Sequence, residues 1–131
     1  GDMYKAMSEE LSNIEIIEDV DADKKLELYQ RCKAFLFPVQ YAEAFGIVVC
    51  EAMATGAPLI VSDRGSMPEL IENGVNGFIC IDIEHYENAM RTIGYIDPVT
   101  VRRYCLDNFS MRRVAFDYLR VYKATINGEK W

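Results

Sequence analysis

Several side chains from which nucleophilic and metal sites are usually built are scarce in this chain. It has one histidine, His85, in a helix-start context that favours an exposed surface residue. A Ser-His-Asp or Cys-His arrangement therefore finds no support. The four cysteines form no C-x-x-C pair and no zinc spacing, which favours buried, reduced thiols in a cytosolic protein over disulfides.

Basic residues and long apolar runs are scarce as well. Lysine and arginine number 14 against 21 acidic residues, and the net charge of −7 argues against a broad nucleic-acid surface. No apolar run approaches the length of a membrane span, and the polar start, residues 1–5, does not resemble a signal peptide. The 131 residues are expected to form one domain with a buried core, in a cytoplasmic protein without a nucleic-acid partner.

Short apolar runs alternate with helical patterns along the chain. Strands are predicted at residues 13–17, 34–38, 58–62 and 78–81. Helices are predicted at residues 23–32, 45–54, 68–72, 83–93, 98–108 and 111–126, the last with an apolar stripe of Val114, Tyr118, Val121 and Tyr122. Strands that alternate with helices imply an α/β fold with a parallel sheet and crossover helices.

Two glutamates stand out at one of these helices. Glu43 precedes an apolar stretch and Glu51 is its one charged residue, so the stretch is predicted to be a buried helix that begins at Ala44 or Phe45. A carboxylate in such a place is costly unless something binds it. Eight residues at the helical rise place the two carboxylates about 12 Å apart along the axis. The positive end of the helix dipole lies between them.

This spacing suits a ligand with an anionic middle and two hydroxyl-rich ends, which is the layout of a nucleotide-sugar. The loops after two successive strands, residues 39–43 and 63–67, should share the carboxyl rim of the sheet. Gly46 and Gly65 permit close backbone approach at that rim. The simpler alternative is that Glu43 only complements the helix dipole while Glu51 pairs with an arginine such as Arg64.

Four pieces of the sequence resemble the retaining glycosyltransferases of family 4, which have the GT-B fold. They are EAFG at 43–46, EAMATGAP at 51–58, SDRGSMPE at 62–69 and NGVNGF at 73–78. The pieces occur in the family's order and spacing, and together they are far more specific than a lone glycine motif. The resemblance implies a Rossmann-like parallel sheet with flanking helices, in the C-terminal, donor-binding half of a two-domain enzyme.

The resemblance also implies roles for single residues. Glu43 matches the glutamate that contacts the transferred sugar, as nucleophile or as electrostatic stabiliser, and Glu51 matches the one that holds the ribose hydroxyls. The implied donor-binding residues are Ala44, Phe45, Gly46, Ile47 and Glu51, with loop contacts from Arg64, Gly65 and Ser66. The implied reaction moves a sugar, with retention of configuration, from a nucleotide diphosphate sugar to a saccharide or lipid-linked acceptor.

The chain departs from the family pattern in what it lacks. Residues 1–131 contain neither the first strand–helix units of the donor domain, with their glycine-rich loop and Arg–Lys pair, nor the N-terminal acceptor domain. We expect a fragment that is inactive alone, from an enzyme that is cytoplasmic or peripheral at the membrane at full length. A sheet truncated at one side exposes an apolar edge, so self-association of the fragment is expected. Glu18 and Asp19 stand where a glycine is often found, and Ser66 where many members have a second glycine.

Two other functions fit the fold: a non-catalytic nucleotide-binding or interaction module, and a GT-B sugar-nucleotide epimerase. A packing module has no reason to place two acids around an apolar helix. An epimerase would want further histidine or acidic groups, and His85 is poorly placed to serve. The sequence Asp21-Ala22-Asp23 mimics a D-x-D metal motif, but it precedes a helix, where aspartate is a good cap. We therefore expect no metal, and no cofactor.

Overall fold

The computed structural model describes Leu11 and residues 13–129. The elements are α1 (Ala22–Arg31), β1 (Phe35–Phe37), α2 (Ile47–Thr55), β2 (Leu59–Ser62), α3 (Met67–Leu70), β3 (Gly77–Cys80), α4 (Ile83–Thr92), a 3-10 turn (Ile93–Tyr95), α5 (Pro98–Phe109) and α6 (Met111–Ile126). The polar start at residues 1–5 lies outside the described residues. The predicted alternation of strands and helices is confirmed from α1 onwards.

The three strands form one parallel sheet in the order β1-β2-β3. Phe35 pairs with Leu59, and Leu59 pairs with Gly77, so β2 lies in the middle of the sheet. Every residue of β2 is buried, whereas β1 lies at an edge and its Leu36 is 47% exposed. Parallel neighbours cannot be joined by a tight turn, and the chain crosses over through α2 and then α3. The predicted α/β class is confirmed.

The core lies where α2 packs against the sheet and against α1 and α5. Its largest fully buried side chains include Met53, Leu59, Ile60, Met67 and Leu70. Sequence signals set the ends of these helices. At the starts of α1, α4, α5 and α6, a side-chain oxygen of the capping residue accepts a first-turn N–H group. The capping residues are Asp21, Asp82, Asp97 and Ser110, respectively.

The D-x-D sequence is used as a helix cap. Asp21 Oδ1 accepts the N–H of Lys24 at 2.8 Å, and Asp23 lies in the first turn of α1. The predicted capping role of Asp21-Ala22-Asp23 is therefore confirmed.

Two predictions about the outer parts of the fold are wrong. Residues 13–17 form no strand, because their backbone pairs with none of the described strands and their apolar side chains stay exposed. Helix α2 begins at Ile47, since the left-handed backbone of Gly46 interrupts it, and Ile47 is 67% exposed, so the helix is not buried all round. The bounds predicted for α6 are confirmed; none of its residues is buried, and its apolar stripe is largely exposed.

The cysteines and the histidine lie as predicted. All four thiols are free, with Cys80 and Cys105 buried and the others half-buried. Burial raises the pKa of Cys50 to about 11, so this thiol is neutral at physiological pH. His85 is a surface residue, and its Nδ1 lies 2.6 Å from Asp82 Oδ1. None of the described helices has the length and apolar character that a membrane span requires.

Candidate functional site

The loops that follow β1 and β2 lie side by side at one edge of the sheet, because parallel strands end at the same edge. Ser66 donates its N–H to Glu43 O at 2.9 Å and its hydroxyl to Phe45 O at 2.8 Å. Ser62, the last residue of β2, donates its hydroxyl to Val39 O at 2.7 Å. The predicted shared rim is confirmed, and it is held together by these hydrogen bonds between the loops.

Gly65 allows the two loops to touch. Its backbone φ is +56°, and a Cβ at this position would collide with the backbone N and O of Glu43. Glycine tolerates both conditions, since it has no Cβ and adopts positive φ without strain. The close approach predicted at Gly65 is thus made by the neighbouring loop, and Gly65 fixes the position of the Glu43 backbone.

Gly46 forms the N-cap of α2 in a left-handed conformation, with φ +87°. It is buried, and a Cβ there would lie 2.6 Å from Met67 Cε. Glycine provides no side-chain cap, so the first N–H groups of α2, those of Ile47 and Val48, have no acceptor within the helix. The start of α2 is therefore an uncapped, positively polarised terminus at the rim.

Glu43 is half-buried just before this terminus. Its Oε2 accepts the hydroxyl of Tyr41 at 3.0 Å, and its Oε1 accepts the N–H of Phe45 at 3.4 Å. The hydrogen bond to Glu43 raises the pKa of the Tyr41 phenol, because the carboxylate stabilises the protonated form. Tyr41 was not among the predicted site residues, and its one sequence signal is its position two residues before Glu43.

Glu51 lies in the middle of α2 and faces α1. Its Oε2 lies 2.9 Å from Lys25 Nζ and accepts the hydroxyl of Tyr29 at 3.5 Å. The hydrogen bond to Glu51 raises the pKa of Lys25. The suggested partner Arg64 is wrong, because Lys25 and Tyr29, four residues apart on one face of α1, reach this carboxylate instead.

Of the remaining predicted residues, four are exposed at the rim and one, Ser66, is buried. Ala44 and Phe45 are exposed in the loop, and Ile47 is exposed at the start of α2. Arg64 is exposed and forms no ion pair with any residue that the structure describes. Ser66 is buried and, as shown above, serves the contact between the loops.

Asp19 departs from the family pattern in residue type but has the backbone conformation that suits the glycine expected there. Its φ is +54°, in the left-handed region that glycine adopts most easily. This is the position at which the resemblance leads us to expect glycine. Aspartate is one of the few other residues that tolerate this conformation.

Comparison with known proteins places this architecture in a family. Residues 2–94 match the family described as "Glycosyl transferases group 1". Over 105 residues the chain is 35% identical to spore coat protein SA of Bacillus subtilis (strain 168). This alignment covers 73% of this chain and 28% of that protein. Over 120 residues it is 32% identical to a glycogen synthase of Mycobacterium tuberculosis (strain CDC 1551 / Oshkosh), which covers 85% of this chain and 28% of that protein.

The fold is similar to that of sucrose-phosphate synthase from Thermosynechococcus elongatus, with a TM-score of 0.74 over 98% of this chain and 35% of that one. At 19% identity, this likeness concerns the fold alone. The chain spans 28% of the length of the two curated relatives named above. The match over residues 2–94 covers most of the chain, and the chain belongs to the group 1 glycosyl transferase family.

Proposed function

We propose that this chain is the donor-binding part of a retaining glycosyltransferase that uses a nucleotide diphosphate sugar. One observation carries the proposal: the uncapped start of α2 opens at the rim of the sheet, with Glu43 just before it and Glu51 further along the same helix. Membership of the group 1 glycosyl transferases supports transfer of a glycosyl group. The site geometry supports the finer assignment of the donor.

The diphosphate would lie against the first turn of α2. The N–H groups of Ile47 and Val48 are free to donate there, and the helix dipole stabilises negative charge at this end. These groups would stabilise the nucleotide diphosphate as it departs. Further positive charge would come from basic residues outside residues 1–131, and the proposal assigns no metal and no cofactor to the reaction.

Glu43 would act at the sugar. A carboxylate accepts up to about four hydrogen bonds, and the bonds from Tyr41 and Phe45 leave acceptor sites free on both of its oxygens. The anomeric carbon gains positive charge as the diphosphate leaves, and a carboxylate beside it lowers the energy of that state. This role holds whether Glu43 attacks the carbon or only stabilises the charge.

Glu51 would hold the ribose hydroxyls. Its Oε2 is occupied by Lys25 and Tyr29, while its Oε1 has no hydrogen bond with the part of the chain that the structure describes. The free oxygen can therefore accept hydroxyl groups from a ligand. Lys25 and Tyr29 would act as positioning residues that fix the direction of this carboxylate.

The acceptor would bind to a part of the enzyme outside these residues. The curated relatives are more than three times longer than the region they share with this chain, which leaves room for an acceptor domain. We propose a saccharide or lipid-linked acceptor, in an enzyme that is cytoplasmic or peripheral at the membrane. Residues 1–131 alone would then bind the donor weakly and would not transfer sugar.

A donor screen tests this function. It uses the longer protein, by which we mean the proposed enzyme that contains residues 1–131 together with its acceptor domain. Isothermal titration with UDP-, ADP-, GDP- and TDP-sugars should find one that binds, and Glu51→Ala should weaken its binding. An interaction module without a donor site would bind none of them. Binding that is unchanged when Glu43 and Glu51 are both replaced would contradict the proposed site, since both acids contact the donor in it.

Lys25 supplies a further prediction. Lys25→Gln should raise the donor KM by roughly two- to fivefold, because Glu51 loses the partner that fixes its direction, and exposed ion pairs have small effects. The value of kcat should stay unchanged. Lys24→Gln is the matched control, since Lys24 pairs with Glu27 on the same helix, away from Glu51. Equal KM values for the two variants would show that Lys25 has no positioning role.

A further inference from the structure

A cavity opens at the same rim, in front of the end of β2, and Gln40 from the loop after β1 is among its lining residues. It lies between the carboxyl ends of β2 and β3 and the start of α4, and its volume is about 180 Å³. Tyr86, Asp63, Arg64 and Gln40 give it a polar lining. We call it the β2–β3 cavity. It adjoins the Glu43 loop, because Gly65, next to Arg64, touches the Glu43 backbone.

The hydroxyl of Tyr86 is the unusual group in this cavity. It is buried and makes no hydrogen bond of acceptable geometry with the described residues. The neighbouring Ser62 hydroxyl donates its own hydrogen to Val39 O. Burial also raises the pKa of Tyr86, so the phenol keeps its proton. A buried hydroxyl without a partner destabilises the free protein.

The charged groups around Tyr86 are unpaired as well. The side chains of Asp63 and Arg64 form no hydrogen bond or ion pair with the described residues, although both residues line the cavity. Gln40 donates its amide to Pro38 O at 3.2 Å, which leaves its side-chain oxygen as an acceptor. The lining therefore offers donors and acceptors together, with one negative and one positive charge.

This chemistry selects the kind of ligand. Asp63 would repel an anion and Arg64 would repel a cation, so an uncharged ligand fits the cavity best. It must both donate and accept hydrogen bonds at several points, as hydroxyl groups do. The cavity is smaller than the roughly 300–1,000 Å³ of pockets for drug-sized ligands, and so suits a single small ring.

We propose that the β2–β3 cavity binds one uncharged, hydroxyl-rich ring of the sugar type, with hydrogen bonds from Tyr86 and Arg64 and to Asp63. The source of the ring rests on the proposed function: it is one sugar unit of an acceptor whose remaining part would bind outside residues 1–131, and it is held beside the loop that carries Glu43. The donor would occupy the start of α2, so the two sugars would lie at the same rim of the sheet.

Saturation-transfer NMR on the longer protein tests the proposal, with glucose, galactose, mannose and N-acetylglucosamine as probes. At least one sugar should receive saturation, and Tyr86→Phe should weaken its binding roughly three- to tenfold through loss of a hydrogen bond. Asp63→Asn should weaken it similarly. Tyr95→Phe is the matched control, because Tyr95 is 90% exposed and remote from the lining, and it should change nothing.

Thermal unfolding separates this role from a structural one. If the Tyr86 hydroxyl lacks a partner in the free protein, Tyr86→Phe should leave Tm unchanged or raise it, since the buried unpaired group is removed. A lower Tm would mean that the hydroxyl already has a partner, such as a bound water, and would overturn the proposal. So would sugar binding that is absent, or equal in the wild type and Tyr86→Phe.

The source of the ring is decided by competition. The nucleotide-sugar that binds in the donor screen should leave the monosaccharide signal in place if the cavity is separate from the donor site. Displacement of the signal by that donor would overturn the assignment to the acceptor. A monosaccharide signal that depends on Tyr86, in a protein that binds no nucleotide-sugar, would support the cavity and refute the proposed donor function, so the two failures are distinguishable.

Discussion

Replacing Gly65 by alanine should destabilise the 131-residue chain by about 2–5 kcal/mol, from left-handed backbone strain of about 1–2 kcal/mol and overpacking of about 1–3 kcal/mol. The backbone φ of +56° disfavours any L side chain, and the new Cβ would collide with the backbone of Glu43. A backbone atom cannot move aside as a flexible side chain can. The loops after β1 and β2 would have to separate, with loss of the hydrogen bond from Ser66 N–H to Glu43 O.

Gly74→Ala is the control that isolates the collision. Gly74 also has a positive φ, of +80°, but a Cβ there would meet no atom within 4 Å. This variant should therefore lose only about 1 kcal/mol, from backbone strain. Urea unfolding of both variants, with free energies extrapolated to water, measures the difference. Equal losses would show that the loop contact seen at Gly65 contributes nothing to stability.

In the longer protein, Gly65→Ala should also impair the site. Separation of the loops would move Glu43, whose backbone is held by its contacts with Gly65 and Ser66. Small displacements of a positioned group cause large losses of activity. We expect a lower kcat in Gly65→Ala and a normal one in Gly74→Ala.

Local signals in the sequence predicted the elements whose ends are set locally. The bounds predicted for α6, residues 111–126, match the structure, in which Ser110 caps the start of the helix. The all-apolar run at β2 predicted a buried strand, and β2 is buried throughout. The start of α2 was missed by two or three residues, since Gly46 adopts a left-handed conformation that interrupts the helix before Ile47.

Contacts between distant residues could not be predicted in the same way. The ion pair of Glu51 with Lys25 joins two helices that are separated by a strand, and no spacing rule connects them. The predicted strand at residues 13–17 shows the reverse error, because alternating apolar residues predict a strand only where a partner strand is available. The expected self-association of the chain stays a prediction, and the exposed Leu36 at the β1 edge is where it would be sought.

Assignment of the two glutamates to one ligand site came from their spacing and from the motif, and the structure adds an asymmetry between them. Glu51 has two fixed partners on one oxygen, from Lys25 and Tyr29. Glu43 has one hydroxyl partner, Tyr41, and a long contact to the Phe45 N–H. Because α1 holds Glu51 in place, this carboxylate suits a ribose that is bound equally in the ground and transition states. Glu43, at the start of α2, suits the anomeric carbon, whose charge changes during the reaction.

Glu43→Ala in the longer protein should therefore lower kcat by about a hundredfold or more, on the order of 3 kcal/mol, because its carboxylate acts mostly after the leaving group begins to depart. Glu51→Ala should instead raise the donor KM by roughly ten- to a hundredfold, since hydrogen bonds to ribose from a charged group contribute about 1.5–3 kcal/mol in ground and transition states alike. Steady-state kinetics with varied donor measure both effects.

Tyr41→Phe is the control for Glu43: it removes one hydrogen bond but keeps the carboxylate, so its kcat should fall far less. If Glu43→Ala raised only KM while Glu51→Ala lowered only kcat, the two roles would be reversed, with the charge-stabilising acid in the middle of α2.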